Sequence, residues 1–295
     1  MSDNDTFVIR AGSTAHDRFD TDVDATRAGW EWSSIKVLNL PAGASETLDT
    51  GGDEILVLPL AGGCSVEVDG VTHELTGRRE VWTAITDYLY LPRHTTAVIS
   101  SADGGRFALP GAKATRDLLV RYCPVTEVVT GLRGTGSCSR QVNNYALGNT
   151  LETSHLLVCE VLTPGGNWSS YPPHKHDEHT QVERVLEEIY YYEVRPGRGD
   201  TEGFALQRIY PSPAGHIDVC TEVRSRDVVI MPFGYHGPSV AAPGYDLYYL
   251  NVMAGPSEDS TWLMTDDPHH TWIRDTWDDA DVDPRLPMTP LNPQE

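Results

Sequence analysis

The sequence predicts an all-β protein of sandwich or barrel type, read from its internal repeat as two tandem antiparallel β-barrels, followed by an irregular C-terminal arm. Three observations carry this expectation. Short runs of β-forming residues recur at intervals of about 8–12 residues, separated by Gly, Pro and Asp, with almost no helical periodicity. The pattern then repeats: HLLVCEVLTPGG (155–166) parallels IKVLNLPAG (35–43), EEIYYYEV parallels DEILVLPL, and VVIMPFGYHGPSV parallels YLYLPRHTTAV. After Pro256 the alternation stops and Trp, Asp and His dominate.

In chain order, residues 1–28 are polar and acidic and read as a loose arm. Residues 29–140 form the first barrel. It begins with WEWSSIKVLNL and EILVLPL, divided by the turn signals PAG (41–43) and TGGD (50–53). CSVEVDGVTHEL follows, with Asp69-Gly70 as its hairpin turn, and then WTAITDYLYLPRHTTAVIS and DLLVRYCPV. RGTGSCSRQVNN (133–144), rich in Gly, Ser and Asn, reads as the connection. Residues 141–256 form the second barrel, and 257–295 an arm whose tryptophans pack it onto the barrel surface.

The 295 residues carry 22 Lys and Arg against 43 Asp and Glu, a formal net charge of −21. Such a field disfavours nucleic acid and anionic membranes as partners. It also repels an anionic small molecule at long range, so a site for one needs local Arg, Lys or metal charge. The five cysteines are scattered, odd in number and without a CxxC, which indicates reduced thiols. No signal peptide is evident, and no apolar run nears the roughly 18 residues that span a bilayer. The expectation is a soluble cytoplasmic protein. Pairing of edge strands between subunits would make a homo-oligomer.

Chemistry concentrates in YPPHKHDEHTQVERVLEEIYYY (171–192). On a strand, His174 and His176 point to one face and form half of a metal site, while Lys175 points away. In the EEIYYYEV strand, Glu188, Tyr190 and Tyr192 share one face and Glu187, Ile189 and Tyr191 the other. The strand DVVIMPFGYHGPS ends in a turn carrying His236. Three imidazoles and one carboxylate drawn from separate strands accept Zn, Mn, Fe, Ni or Co. His179 lies in a loop and reads as exposed. His269 and His270 are adjacent, so an extended chain turns them to opposite sides.

These residues carry a resemblance. SSYPPHKHD (169–177), LEEIYYYEV (186–194), RDVVIMPFGYHGP (226–238) and PGYDLYYLNVMAGP (243–256) resemble the 5-deoxy-glucuronate isomerases, cupin enzymes of bacterial inositol catabolism. RGTGSCSRQVNN and DDPHHTW (266–272) look like further family pieces. The resemblance implies a bicupin fold, two tandem antiparallel β-barrels of jelly-roll type, with His174, His176, Glu188 and His236 as metal ligands. Glu188 is preferred to Glu187 because cupins place the liganding Glu directly before the apolar-aromatic run. In the first half, Glu54 and His94 stand as counterparts of the ligand Glu and the last His. No histidine precedes Glu54 in its segment, GASETLDTGGD (42–53), so that half is expected to bind no metal.

The resemblance further implies an aldose–ketose isomerase that converts 5-deoxy-D-glucuronate, a small sugar acid, into 5-dehydro-2-deoxy-D-gluconate. An open metal position can chelate the carbonyl and adjacent hydroxyl, by an enediolate or a hydride-shift route. Zn or Mn is favoured for this non-redox step, and no organic cofactor is required. Glu187 or a metal-bound hydroxide is the candidate base, and Tyr190 the candidate acid. Arg184 and Arg208 are candidates to hold the substrate carboxylate, and Tyr248 to bind the sugar. The alternatives are a 5-keto-4-deoxyuronate isomerase, an iron-dependent cupin dioxygenase, and a storage or sugar-sensing bicupin.

Overall fold

The computed structural model describes residues 2–147 and 151–292. Among these, no helix is long and apolar enough to cross a membrane, and all five cysteines are free thiols. Two larger sheets dominate. In the first half the central strands are β1 (Ser33–Leu40), β2 (Asp53–Val68), β3 (Tyr88–Leu91) and β4 (Gly105–Lys113). In the second they are β5 (Leu157–Thr163), β6 (Glu187–Val194), β7 (Val228–Met231) and β8 (Leu247–Ala254).

Spatial order in the first sheet is β3-β2-β4-β1, and in the second β7-β6-β8-β5. The two orders are the same under the equivalence of first with fifth, second with sixth, third with seventh and fourth with eighth. The duplication visible in the sequence is thus repeated in the topology. All of these neighbours pair antiparallel.

Period-2 alternation sorts the side chains into three cores. Leu56, Leu58, Ile189, Tyr191, Leu250 and Val252 share the core where the two sheets pack face to face. Val57, Leu89 and Phe107 fill the interior of the first half. Tyr190, Tyr192, Tyr249 and Met231 fill that of the second. A buried ion pair crosses between the halves: the Arg78 guanidinium donates to both oxygens of Glu160 at 3.0 and 2.7 Å, with both side chains fully buried. Asn143 also donates to Glu160, and Arg78 to the carbonyls of Pro59 and Ala84.

Both termini are more ordered than the sequence suggests. Val8–Ile9 adds an edge strand to β7, and Phe19–Val23 pairs with β1. The Gly/Ser-rich connection forms strands Val129–Arg133 and Arg140–Ala146, both in the second sheet, so that sheet begins before residue 141. In the C-terminal arm, Thr265–Asp266 pairs with His174–Lys175. Alternation fails as a signal here because these strands are only two to seven residues long.

Breaking a buried ion pair strands its partner's charge. Arg78→Met is expected to lower the unfolding free energy by about 3 kcal/mol or more in urea titration. Adding Glu160→Gln should recover part of that loss, since it removes the orphaned charge.

Candidate metal centre

The two histidine-bearing segments are tied together by backbone. His174 and His236 exchange hydrogen bonds in both directions, at 2.9 and 2.8 Å. The His176 carbonyl accepts from Leu186 N–H, which fixes that histidine beside the start of β6. Lys175 points away from its two neighbours and is buried against Glu183 and Asp177. Asp177 in turn accepts from Ser212 and from the Gly234 N–H, two residues before His236. One salt-bridged network therefore holds both loops that carry imidazoles.

His174, His176, Glu188 and His236 converge, each offering a donor atom, with all four atoms within 4.8 Å of one another. All four residues are at most 3 % exposed. The ring Nδ1 of His176 faces the Leu186 carbonyl at 2.9 Å, that of His236 the Gly234 carbonyl at 2.8 Å, and that of His174 the Pro172 carbonyl at 3.3 Å. A carbonyl only accepts, so this geometry assigns the proton to Nδ1 and leaves each Nε2 with a lone pair.

The Nε2 atoms of His176 and His236 lie 2.9 Å apart, and 2.8 and 2.5 Å from the same Glu188 oxygen. His174 Nε2 and the other Glu188 oxygen have no hydrogen-bond partner. Burial, with His236 beside it, pushes His174 down to about 3. Burial opposes charge on Glu188, yet His236 and His176 hold its carboxyl well below the usual range. With all three imidazoles neutral, their lone pairs and a carboxylate facing one another are repulsive unless a cation, a shared proton or a metal ion, lies among them. The donor set therefore fits a divalent metal ion, with backbone carbonyls orienting each imidazole from behind.

The other predicted residues fall in different places. The Tyr190 ring is in the second-half interior, stacked on Tyr249 at 4.4 Å. Glu187 is turned to the opposite face, where it accepts from the N–H groups of Glu31, Trp32 and Ser33 at 2.7–2.9 Å. This corrects its candidacy as the base, because its oxygens are committed to the start of β1. Tyr248 faces the core between the halves, near Trp82 and Arg78, and not the cluster. Of this strand's two tyrosines Tyr249 faces inward; the sequence alone did not set the register. Arg184 is paired with Asp259, and Arg208 with Asp218, so both guanidinium groups already hold carboxylates. His179 is exposed and outside the cluster.

The first half lacks the cluster more completely than expected. Glu54 pairs with Ala112 across the sheet as Glu187 pairs with Ala254, so Ile55 is the counterpart of Glu188. Glu54 accepts from the N–H groups of Ser154, His155 and Leu156 and from the Tyr90 hydroxyl. Each half thus holds the approach to the other half's first central strand through one carboxylate. His94 is exposed.

Stacked antiparallel sheets with an inward-facing cluster of three histidines and a glutamate define a cupin-like all-β protein whose interior fits a metal ion. The oxalate decarboxylase of Bacillus subtilis shares this fold, with a TM-score of 0.60 at 13% identity over 88% of this chain and 79% of that one. The sequence profile of the KduI/IolB family matches residues 7–273, and the chain belongs to that family. It is 36% identical to the 5-deoxy-glucuronate isomerase of Geobacillus thermodenitrificans over 92% of this chain and 96% of that protein. The crystal structure of an IolB-like protein from Salmonella typhimurium LT2 superposes with a TM-score of 0.83 at 34% identity, covering 91% of this chain and 99% of that one.

His174→Ala and His236→Ala are each expected to reduce bound metal, measured by elemental analysis after dialysis, to a small fraction of one ion per chain while circular dichroism stays near wild type. Glu187→Gln should leave metal content unchanged but lower stability by about 2 kcal/mol, from weakened hydrogen bonds to three N–H groups.

Proposed function

We propose that this member of the KduI/IolB family is an aldose–ketose isomerase that converts 5-deoxy-D-glucuronate to 5-dehydro-2-deoxy-D-gluconate. The observation that carries the reading is the buried His174, His176, Glu188, His236 cluster in a chain that matches named isomerases over nearly their whole length. In the same reading each half is a cupin barrel, the first serving as a packing partner, and the division falls between the strands ending at Cys123 and starting at Val129.

The three Nε2 atoms and the Glu188 carboxylate would hold the ion. A divalent ion there, Zn or Mn by preference, would polarise the sugar carbonyl and the adjacent hydroxyl. Isomerisation then needs a proton moved between oxygens at the reacting end. Tyr249 is suited to that transfer, because its hydroxyl bonds Ser169 and Ser170, both at 2.7 Å. Burial pushes it up to about 12, moderated by those two serines. Tyr190 is protonated at neutral pH as well, its pKa driven well above the usual value by burial and by Glu188, and can donate. With Glu187 committed elsewhere, Glu188 is the one carboxylate of the cluster, and its role as a ligand leaves the carbon-to-carbon transfer without a carboxylate base. A hydride shift, which needs no such base, fits these residues.

Incubated without oxygen and loaded with Zn or Mn, the protein is expected to turn 5-deoxy-D-glucuronate into the keto acid, followed by carbon NMR. Oxygen uptake, or turnover of 5-keto-4-deoxyuronate alone, would reassign it. Tyr249→Phe should lower kcat by about 10- to 100-fold with metal content intact.

A further inference from the structure

The segment that reads as a linker, RGTGSCSRQVNN, lines a cavity beside the cluster. This cavity of about 320 Å3 is bounded by Arg133, Arg140 and Asn144 from that segment, Asn251 from β8, and Trp262 and Trp277 from the C-terminal arm. It abuts the cluster: the Trp262 ring centre is 6.5 Å from that of His174. Cys159, another of its walls, feels the charge of Glu188.

Guanidinium groups in this acidic chain find carboxylates almost everywhere. Arg78, Arg184, Arg208 and Arg274 each have one. Arg140 has none among the described residues; its Nη1 contacts only the carbonyls of Cys138 at 3.1 Å and Tyr171 at 3.5 Å. The residue is half-buried, and burial with Arg274 nearby depresses its pKa against Tyr249 and Cys138; a guanidinium stays charged in proteins all the same. A positive charge withdrawn from water without a counter-ion is costly, and such groups are paired in the finished complex. Gly134, in the left-handed region at φ +66°, keeps room for this side chain, since a Cβ there would sit 3.0 Å from Arg140 Nη1 and collide with the Cys138 carbonyl.

The rest of the lining is unsatisfied in a complementary way. The side-chain oxygens of Asn144 and Asn251 and the indole N–H groups of Trp262 and Trp277 are buried without hydrogen-bond partners. Asn251 is only 2 % exposed. Two acceptors and two donors around the Arg140 guanidinium match a short polyhydroxylated chain ending in a carboxylate.

We infer that Arg140 is the carboxylate anchor of this site, with Asn144, Asn251, Trp262 and Trp277 binding the hydroxyls between that anchor and the His/Glu cluster. The identity of the sugar acid rests on the isomerase reading above; the anchor itself rests on the Arg140 guanidinium. The C-terminal arm is then part of the binding site, contributing both indoles and closing the cavity.

The test compares wild type, Arg140→Lys and Arg140→Met, each loaded with metal and checked for metal content. With 5-deoxy-D-glucuronate, Arg140→Met is expected to lose about 100-fold in kcat/KM, mainly through KM, because a charge-assisted bidentate contact is lost. Arg140→Lys should recover part of it. With the uncharged carboxamide of the same sugar, all three proteins should agree within about threefold. Binding of D-gluconate, followed by tryptophan fluorescence, should be lost in Arg140→Met and does not depend on turnover. Loss of activity equal for acid and amide, or D-gluconate binding unaffected by Arg140→Met, overturns the anchor. D-gluconate binding that depends on Arg140 in a wild type that fails to isomerise the acid would overturn the isomerase reading and leave the anchor standing.

Discussion

Four electron-rich atoms forced together in a dry interior are the constraint on which the rest of this molecule turns. Without a cation among them, three imidazole nitrogens and a carboxylate repel one another, and burial removes the water that would relieve it. The protein maintains the arrangement by tying every element of it to backbone. Each imidazole is oriented by a main-chain carbonyl, the His174 and His236 segments are hydrogen-bonded to each other, and the Lys175–Glu183–Asp177 network braces both loops. Those ties hold the donors in position, which is what preorganisation means in physical terms.

The duplication explains how one half can be devoted to chemistry. Glu54 and Glu187 occupy equivalent positions and do the same work in opposite directions, each gathering three N–H groups at the approach to the other half's first strand. The position that follows differs: Ile55 fills an apolar core, and Glu188 enters the cluster. A one-residue step along a strand changes the face, so neighbouring carboxylates in EEIYYY serve fold and site separately. The Arg78–Glu160 pair completes the joint between the halves.

Local pattern made much of this legible. Alternation and turn residues gave the strands, repetition gave the duplication, and His174 with His176 on one strand face required no long-range knowledge. Choosing Glu188 over Glu187 needed the resemblance as well, since alternation only puts the two on opposite faces. Tyr249, by contrast, lay beyond it, because YDLYYL offers three tyrosines and only pairing with β5 and β6 decides which face is which. The partner of Glu187 lies more than 150 residues away in sequence. Arg140 was concealed by its Gly- and Ser-rich surroundings, which read as a linker although they fold into strands flanking the cavity. The arm's contribution to the HxH strand is two residues long, below what periodicity can register.

Whether one cation is gripped by these four side chains is tested most directly by anomalous diffraction from crystals soaked with Zn or Mn. A single strong peak per chain is expected, at about 2.0–2.2 Å from Nε2 of His174, His176 and His236 and from a Glu188 oxygen. A cluster free of anomalous signal, or a peak bound by other residues, would contradict it.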